Sequence, residues 1–210
     1  MFITFEGLDF SGKTTQAKLL IEKLQQRGKT VHFIREPGGT RISERVREIL
    51  LDKAFSEMTD TAELLLFSAS RTQLVSEVIV PALKRSEVVV CDRYFDSTTV
   101  YQGHGRGLNL DAVKSINRLA TGGLNPDLTI LIDISIDEIE RRKLSAGLAF
   151  DRMESSGKKF YERVRKGYIA LAHEESNRFV HIDGMESMEN VERNVWRSVE
   201  QRLMSHNVSQ

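Results

Sequence analysis

The chain has 210 residues, 40% hydrophobic and 29% charged, which fits one soluble α/β domain with a real core and leaves too little for two comfortable domains. Thirty basic residues offset thirty acidic ones with no basic stripe, so duplex nucleic acid is not the expected partner and any bound anion is expected to be small. The single Cys91 excludes an intrachain disulfide, no run approaches the ~18 apolar residues of a membrane span, and no basic leader opens the chain, so a cytoplasmic location is expected.

The first predicted element is a buried strand over Phe2–Phe5. Behind it, EGLDFSGKTT matches G-x-x-x-x-G-K-[ST] as Gly7, Gly12, Lys13 and Thr14. Glycines there let successive N–H groups face phosphate oxygens at a helix N-terminus, and Gly7, Leu8, Asp9, Phe10, Ser11, Gly12, Lys13, Thr14 and Thr15 form the predicted ATP cradle. Lys13 supplies a cation for the β/γ-phosphates, and the Thr14 hydroxyl is a candidate Mg²⁺ ligand. Ala17, Leu20, Ile21 and Leu24 share one helix face, with Gly28 at the expected C-terminal stop.

A second strand is predicted at Val31–Ile34, a long helix at Thr61–Leu83 with an end near Pro81, and a third strand at Val88–Cys91. Asp92 and Arg93 follow that strand. Asp92 is placed to hold the magnesium shell. Arg93 reads either as paired to an acid or as a bidentate clamp on a second phosphate. No N-K-x-D base-recognition motif of a GTPase is present, and Phe95–Gly107 is dense in hydroxyls, an amide and glycines, the chemistry of a polar small-molecule site.

Further along come a helix at Asp111–Ala120, a strand at Leu128–Ile134, and the capping-box signature Ser135–Glu138 ahead of a helix through Arg141 and Arg142. Leu144–Asp151 reads as a loop between helices, a candidate lid. Helices at Lys158–His173 and Ser187–Leu203 flank a last strand at Phe179–Ile182. The alternation predicts a doubly wound sheet with ligands beyond the carboxyl ends of its strands.

EGLDFSGKTTQ, REPGGT, LLLFSASRTQ, DRYFDSTTVYQG with its GRG, and DRME together resemble the bacterial thymidylate kinases over essentially the whole chain. The resemblance implies an α/β P-loop NTPase three-layer sandwich, a five-stranded parallel sheet flanked by helices, in a single domain over 1–210 with a small lid near 143–152. It implies a homodimer that uses Mg²⁺ and ATP to phosphorylate dTMP to dTDP, toward dTTP. It also implies that Asp9 accepts from the sugar 3′-hydroxyl, that Phe67 stacks on thymine, and that Arg71, one turn on, donates to a thymine carbonyl. Ser97 and Thr98 fall near the base edge, Tyr101 crowds the sugar C2′ with Gln102 nearby, and Arg93, Arg35 and Glu36 organise the acceptor phosphate beside a fixed, cis turn at Pro37. Asp9 can equally serve the magnesium shell.

In this family the cation that crosses the transferred phosphoryl comes from the P-loop or from the lid. Here the P-loop position is Phe10, and Leu144–Phe150 holds no cation. Arg141, Arg142, Lys143 and Arg152 remain, with Arg152 and Arg142 favoured; Arg142 can also stack on adenine, near the loop after Ile182. Two other functions stay open: another nucleoside monophosphate kinase with relaxed base choice, and a P-loop ATPase or switch acting through a protein partner.

Overall fold

A computed structural model of the chain describes residues 1–146, 152–153 and 157–208. Most of the predicted lid, 147–151, lies outside the described residues. Five strands form one all-parallel sheet in the order β2-β3-β1-β4-β5, with β1 Phe2–Glu6, β2 Val31–Arg35, β3 Val88–Asp92, β4 Leu128–Asp133 and β5 Phe179–Asp183. This is the predicted α/β architecture. The central strands β1, β3 and β4 are buried almost throughout, as continuous apolar runs require. The edge strands β2 and β5 are not: His32, Phe33 and His181 remain partly or fully exposed.

Every strand ends on a charged residue: Glu6, Arg35, Asp92, Asp133 and Asp183. The apolar runs end one residue short of this in four strands and overrun by one at Ile134, because backbone pairing is indifferent to side-chain polarity. The sheet therefore presents a charged rim at its carboxyl edge, where a ligand is expected.

Helices α1 Lys13–Gln26, α6 Leu110–Thr121, α8 Lys158–Glu174 and α9 Met188–Val208 stand where they were predicted. Helix α7, Ile136–Ala146, starts behind Ser135, whose Oγ accepts from the Glu138 N–H at 3.2 Å. The reciprocal half of the capping box is replaced: the Glu138 carboxylate binds Arg141 and Arg142. Helix α2, Arg41–Leu51, was not predicted, although Thr40 caps it by accepting from the Ser43 N–H. The predicted helix Thr61–Leu83 is α3, Asp60–Leu74, then a π-helical turn Val75–Ile79, then α4, Val80–Lys84. Pro81 lacks the N–H that an α-helix would use; it sits at the start of α4 and does not end the run.

The polar stretch after β3 is also helical: α5 Phe95–Thr98 continues as a π-helical segment Thr99–Gly105. The wider turn sends Val100 into the core while Tyr101 and Gln102 reach the rim cavity. Gly105 is required here, since a Cβ would meet the Phe160 ring at 2.6 Å.

Candidate active site

The loop between β1 and α1 makes its bend with three left-handed residues, Gly7 (φ 140°), Phe10 (φ 63°) and Gly12 (φ 92°). A Cβ on Gly7 would run into the Ile132 carbonyl oxygen, so the loop packs against β4 only as glycine. Phe10 adopts a conformation unfavourable to a bulky residue, and its ring packs beside the cluster of Leu8, Tyr161 and Tyr168. Gly12 caps α1 without any side-chain acceptor, and the first turn of α1 carries no acid. The N–H groups at that terminus are left for an anion.

Lys13 is buried behind the loop, its Nζ 3.4 Å from the Leu8 carbonyl and 3.9 Å from Asp9 Oδ1. Burial and the neighbouring Arg93 cation push its pKa below the ordinary lysine value. The Thr14 hydroxyl donates to Asp92 Oδ2. Asp92 Oδ1 and Ser11 Oγ are buried with no hydrogen-bond partner among the described residues. A hydroxyl and a carboxylate oxygen short of a partner are the hard donors a Mg²⁺ shell takes.

Beside this loop lies a cavity of about 200 Å³, walled by the P-loop, the REPGGT turn, α2, α3 and the segment after β3. All eleven predicted acceptor residues line it: Asp9, Arg35, Glu36, Pro37, Phe67, Arg71, Arg93, Ser97, Thr98, Tyr101 and Gln102. The Glu36–Pro37 bond is cis, as expected. Arg93 is itself left-handed (φ 71°) and lies between the two halves. Its Nη2 donates to Asp9 Oδ1 at 2.5 Å and to the Tyr101 hydroxyl at 3.2 Å. Burial would raise the Asp9 carboxyl, but Arg93 and Lys13 outweigh it and hold the pKa below normal.

Arg71 is fully buried, with its Nε 2.7 Å from Glu36 Oε2 and its Nη2 2.9 Å from Thr98 Oγ1. Glu36 is nevertheless pushed up to about 7 by burial, which Arg71 offsets only in part. Phe67 is half-buried on the same helix face, one turn before Arg71. The i, i+4 pairing read from the sequence thus faces one cavity.

The two favoured lid cations stand apart. Arg142 lies on the P-loop side: its Nη1 donates to the Phe10 carbonyl at 2.9 Å and its Nη2 to the Gly184 carbonyl at 3.2 Å. Glu138 holds its Nε at 2.6 Å, and the Arg141 and Arg142 donors pull that carboxyl down to about 2. Arg152 is held on the acceptor side, 2.6 Å from the buried Glu63 and 2.9 Å from the Leu50 carbonyl. Arg141 pairs with Glu138 and is exposed; Lys143 lies over the Tyr161 ring.

Sequence reasoning did not single out Arg47, Tyr161, Tyr168 or Glu6. Arg47 lines the cavity from α2 and donates to the Pro37 carbonyl. Tyr161 donates to Asp9 Oδ2 at 3.3 Å from the start of α8. Neither has a local signal: Arg47 sits on a helix that was not predicted, and Tyr161 reaches Asp9 from a helix remote in sequence.

A family model described as thymidylate kinase matches residues 5–195. A thymidylate kinase of Chlorobaculum parvum is 48% identical, covering 93% of this chain and 93% of that protein. One of Pelotomaculum thermopropionicum is 45% identical over 96% of this chain and 94% of its own length. The crystal structure of thymidylate kinase from Ehrlichia chaffeensis superposes with a TM-score of 0.78 at 34% identity, covering 95% of this chain and 98% of that one.

Proposed function

The chain belongs to the thymidylate kinase family, and from that membership we infer how its residues divide the work. The enzyme transfers the γ-phosphoryl group of ATP to dTMP, giving dTDP and ADP. On the donor side, the backbone of Gly7–Thr15 cradles the phosphates and Lys13 meets the β/γ oxygens. Thr14 and Asp92 would hold Mg²⁺, and the partnerless Oδ1 of Asp92 supports that assignment. Bound there, the metal neutralises triphosphate charge.

On the acceptor side, the cavity takes dTMP with its phosphate toward Arg93 and its thymine toward Phe67 and Arg71. Ser97, Thr98 and Gln102 line the base edge, and Tyr101 favours a deoxyribose. Asp9 serves the sugar 3′-hydroxyl in this reading, because its carboxylate already faces Arg93, Tyr101 and Tyr161. A dTMP phosphate oxygen attacks the γ-phosphorus, the bond to the ADP oxygen breaks, and that oxygen keeps the electron pair. No general base is required, because a phosphate dianion is already nucleophilic near neutral pH. Arg142 is the cation we assign to the P-loop side of the transfer, with Arg152 at the acceptor rim.

The observation that carries the reading is Asp9: one P-loop side chain lies 3.9 Å from the donor-side Lys13 and 2.5 Å from Arg93 in the acceptor cavity. A coupled assay for ADP release, with dTMP, dUMP, CMP, AMP or no acceptor, tests it. dTMP should give the highest kcat/KM, with dUMP about 10- to 200-fold lower for loss of one methyl contact. A higher kcat/KM with CMP or AMP, or turnover indifferent to dTMP, would defeat it.

We further propose a cytoplasmic homodimer. Ile42 and Ile49 on α2, Leu65 on α3 and Leu119 on α6 are exposed, and α3 packs against both α2 and α6. Among the described residues no helix is long and apolar enough to cross a membrane. Light scattering at micromolar concentration checks the dimer.

A further inference from the structure

Glu6, the last residue of β1, is completely buried behind Arg93. Three uncharged donors close on its carboxylate. The Tyr94 N–H reaches Oε1 at 2.8 Å, while the Ser97 hydroxyl (2.6 Å) and the Tyr168 hydroxyl (2.8 Å) both reach Oε2. Arg93 Nη1 lies on the other side of the same two hydroxyls, 3.0 Å from Ser97 Oγ and 3.4 Å from Tyr168 OH, and it also donates to the Gly7 carbonyl at 3.1 Å.

Each hydroxyl has one hydrogen. A guanidinium N–H can only donate, so toward Arg93 both hydroxyls are acceptors, and their hydrogens are left for Glu6 Oε2 or for the 2.9 Å contact between Ser97 Oγ and Tyr168 OH. An ionised Glu6 takes both at Oε2 and needs no acceptor of its own. A protonated Glu6 would itself need an acceptor; the hydroxyl that took its hydrogen would hand its own to the other across the 2.9 Å between Ser97 Oγ and Tyr168 OH, leaving each oxygen one lone pair fewer for Arg93.

We propose that Glu6 is a positioning residue for acceptor binding: its ionised carboxylate takes the Ser97 and Tyr168 hydrogens and so leaves both oxygens to hold Arg93 toward the dTMP phosphate. The inference rests on the reading above that Arg93 meets that phosphate. The strained φ of Arg93 agrees with it, because a backbone outside its ordinary minima persists only where surrounding contacts fix it.

The environment makes the ionisation sensitive to pH. Burial pushes the Glu6 carboxyl up to about 7; Asp96 of α5 adds to this, and the Ser97 hydrogen bond, Arg93 and Tyr168 oppose it. Lys13 of α1 and the buried Cys91 thiol of β3 are the other titratable groups that feel its charge, and β4 sets only Leu131 opposite it.

Glu6→Gln places an amide donor where a double acceptor is needed. The expected result is a KM for dTMP raised about tenfold or more, with the KM for ATP and the dissociation constant of thymidine, which lacks the phosphate, within about twofold. The ratio of wild-type to variant kcat/KM for dTMP should climb between about pH 6 and 8; titration of the substrate phosphate cancels in that ratio. An unchanged dTMP KM, a flat ratio, or equal losses for dTMP and thymidine would overturn the proposal. Tyr168→Phe keeps Glu6 and removes one hydroxyl outside the cavity lining, and should raise the dTMP KM while sparing thymidine; if it does not, the proposal fails even where Glu6→Gln does not fold. Arg93→Ala separates the two levels. If it leaves dTMP KM unchanged, the acceptor reading fails; if it raises KM and Glu6→Gln does not, only the role of Glu6 fails.

Discussion

Arg71 and Glu36 show what one buried pair commits the fold to. Their bond at 2.7 Å lies almost wholly out of water, and Arg71 also ties Thr98 and Asn117 to the same point. Removing one partner strands the other charge, which costs about 3–5 kcal/mol. Arg71→Ala should therefore lower stability by that order in urea titration, in addition to weakening dTMP binding; a loss below about 1 kcal/mol would contradict it. Lys13 is different, since its contacts are a long bond to the Leu8 carbonyl and a loose one to Asp9. Lys13→Ala should cut kcat by about 10²-fold or more while leaving dTMP affinity, by calorimetry, nearly unchanged.

At the scale of elements, the two ends of the lid behave as separate parts. Arg142 joins α7 to the Phe10 and Gly184 carbonyls, whereas Arg152 fastens the far end to Glu63, which also takes Arg106 and Gln102. Arg142→Ala should lower kcat more than it raises the KM for dTMP. Arg152→Ala should raise that KM and lower the melting temperature, because Glu63 stays buried with one cation fewer. Steady-state kinetics beside thermal melts checks both; an equal kcat loss in the two variants would mean that both cations reach the transferred phosphoryl. The parallel strands, α1, α6 and α8 were legible because apolar runs and 3.6-residue faces are local signals. Helix α2 was legible in principle, from Thr40 as a cap and the spacing of Ile42, Val46, Ile49 and Leu50, but its outward Ile42 and Ile49 blur the face. The π-helical turn after β3 was not legible. Its widening follows from where Val100, Tyr101 and Gly105 pack, and no spacing in the segment announces that. The P-loop, Asp92 and the Phe67–Arg71 face were legible; Tyr161, Tyr168 and the hydrogen-bonded side of Glu6 depend on α8 folding back onto β1, and a linear pattern does not carry that.

For the whole molecule, the buried acids set how stability follows pH. Glu6 and Glu36 rise from an ordinary 4.5 to about 7, mainly through burial. Between those values the folded chain holds protons that the unfolded chain has released, so stability falls as pH rises from about 4.5 to 7. Asp96 is also raised, chiefly by burial, and has the same sign. Asp9 and Glu63 are lowered despite their burial, by Arg93 and Lys13 in one case and by Arg106, Gln102 and Arg152 in the other. Their stabilisation is present above their ordinary values and is lost as pH falls through the depressed ones. Together the two groups predict a maximum in melting temperature near pH 5 for the ligand-free enzyme, with a decline on both sides. Glu36→Gln should flatten the neutral limb, since its amide never releases a proton, and leave the acid limb in place. Melts from pH 3 to 9 decide it: a wild-type melting temperature that climbs steadily to pH 7.5 would mean that Arg71 and the hydroxyls around Glu6 keep both carboxylates ionised against their burial.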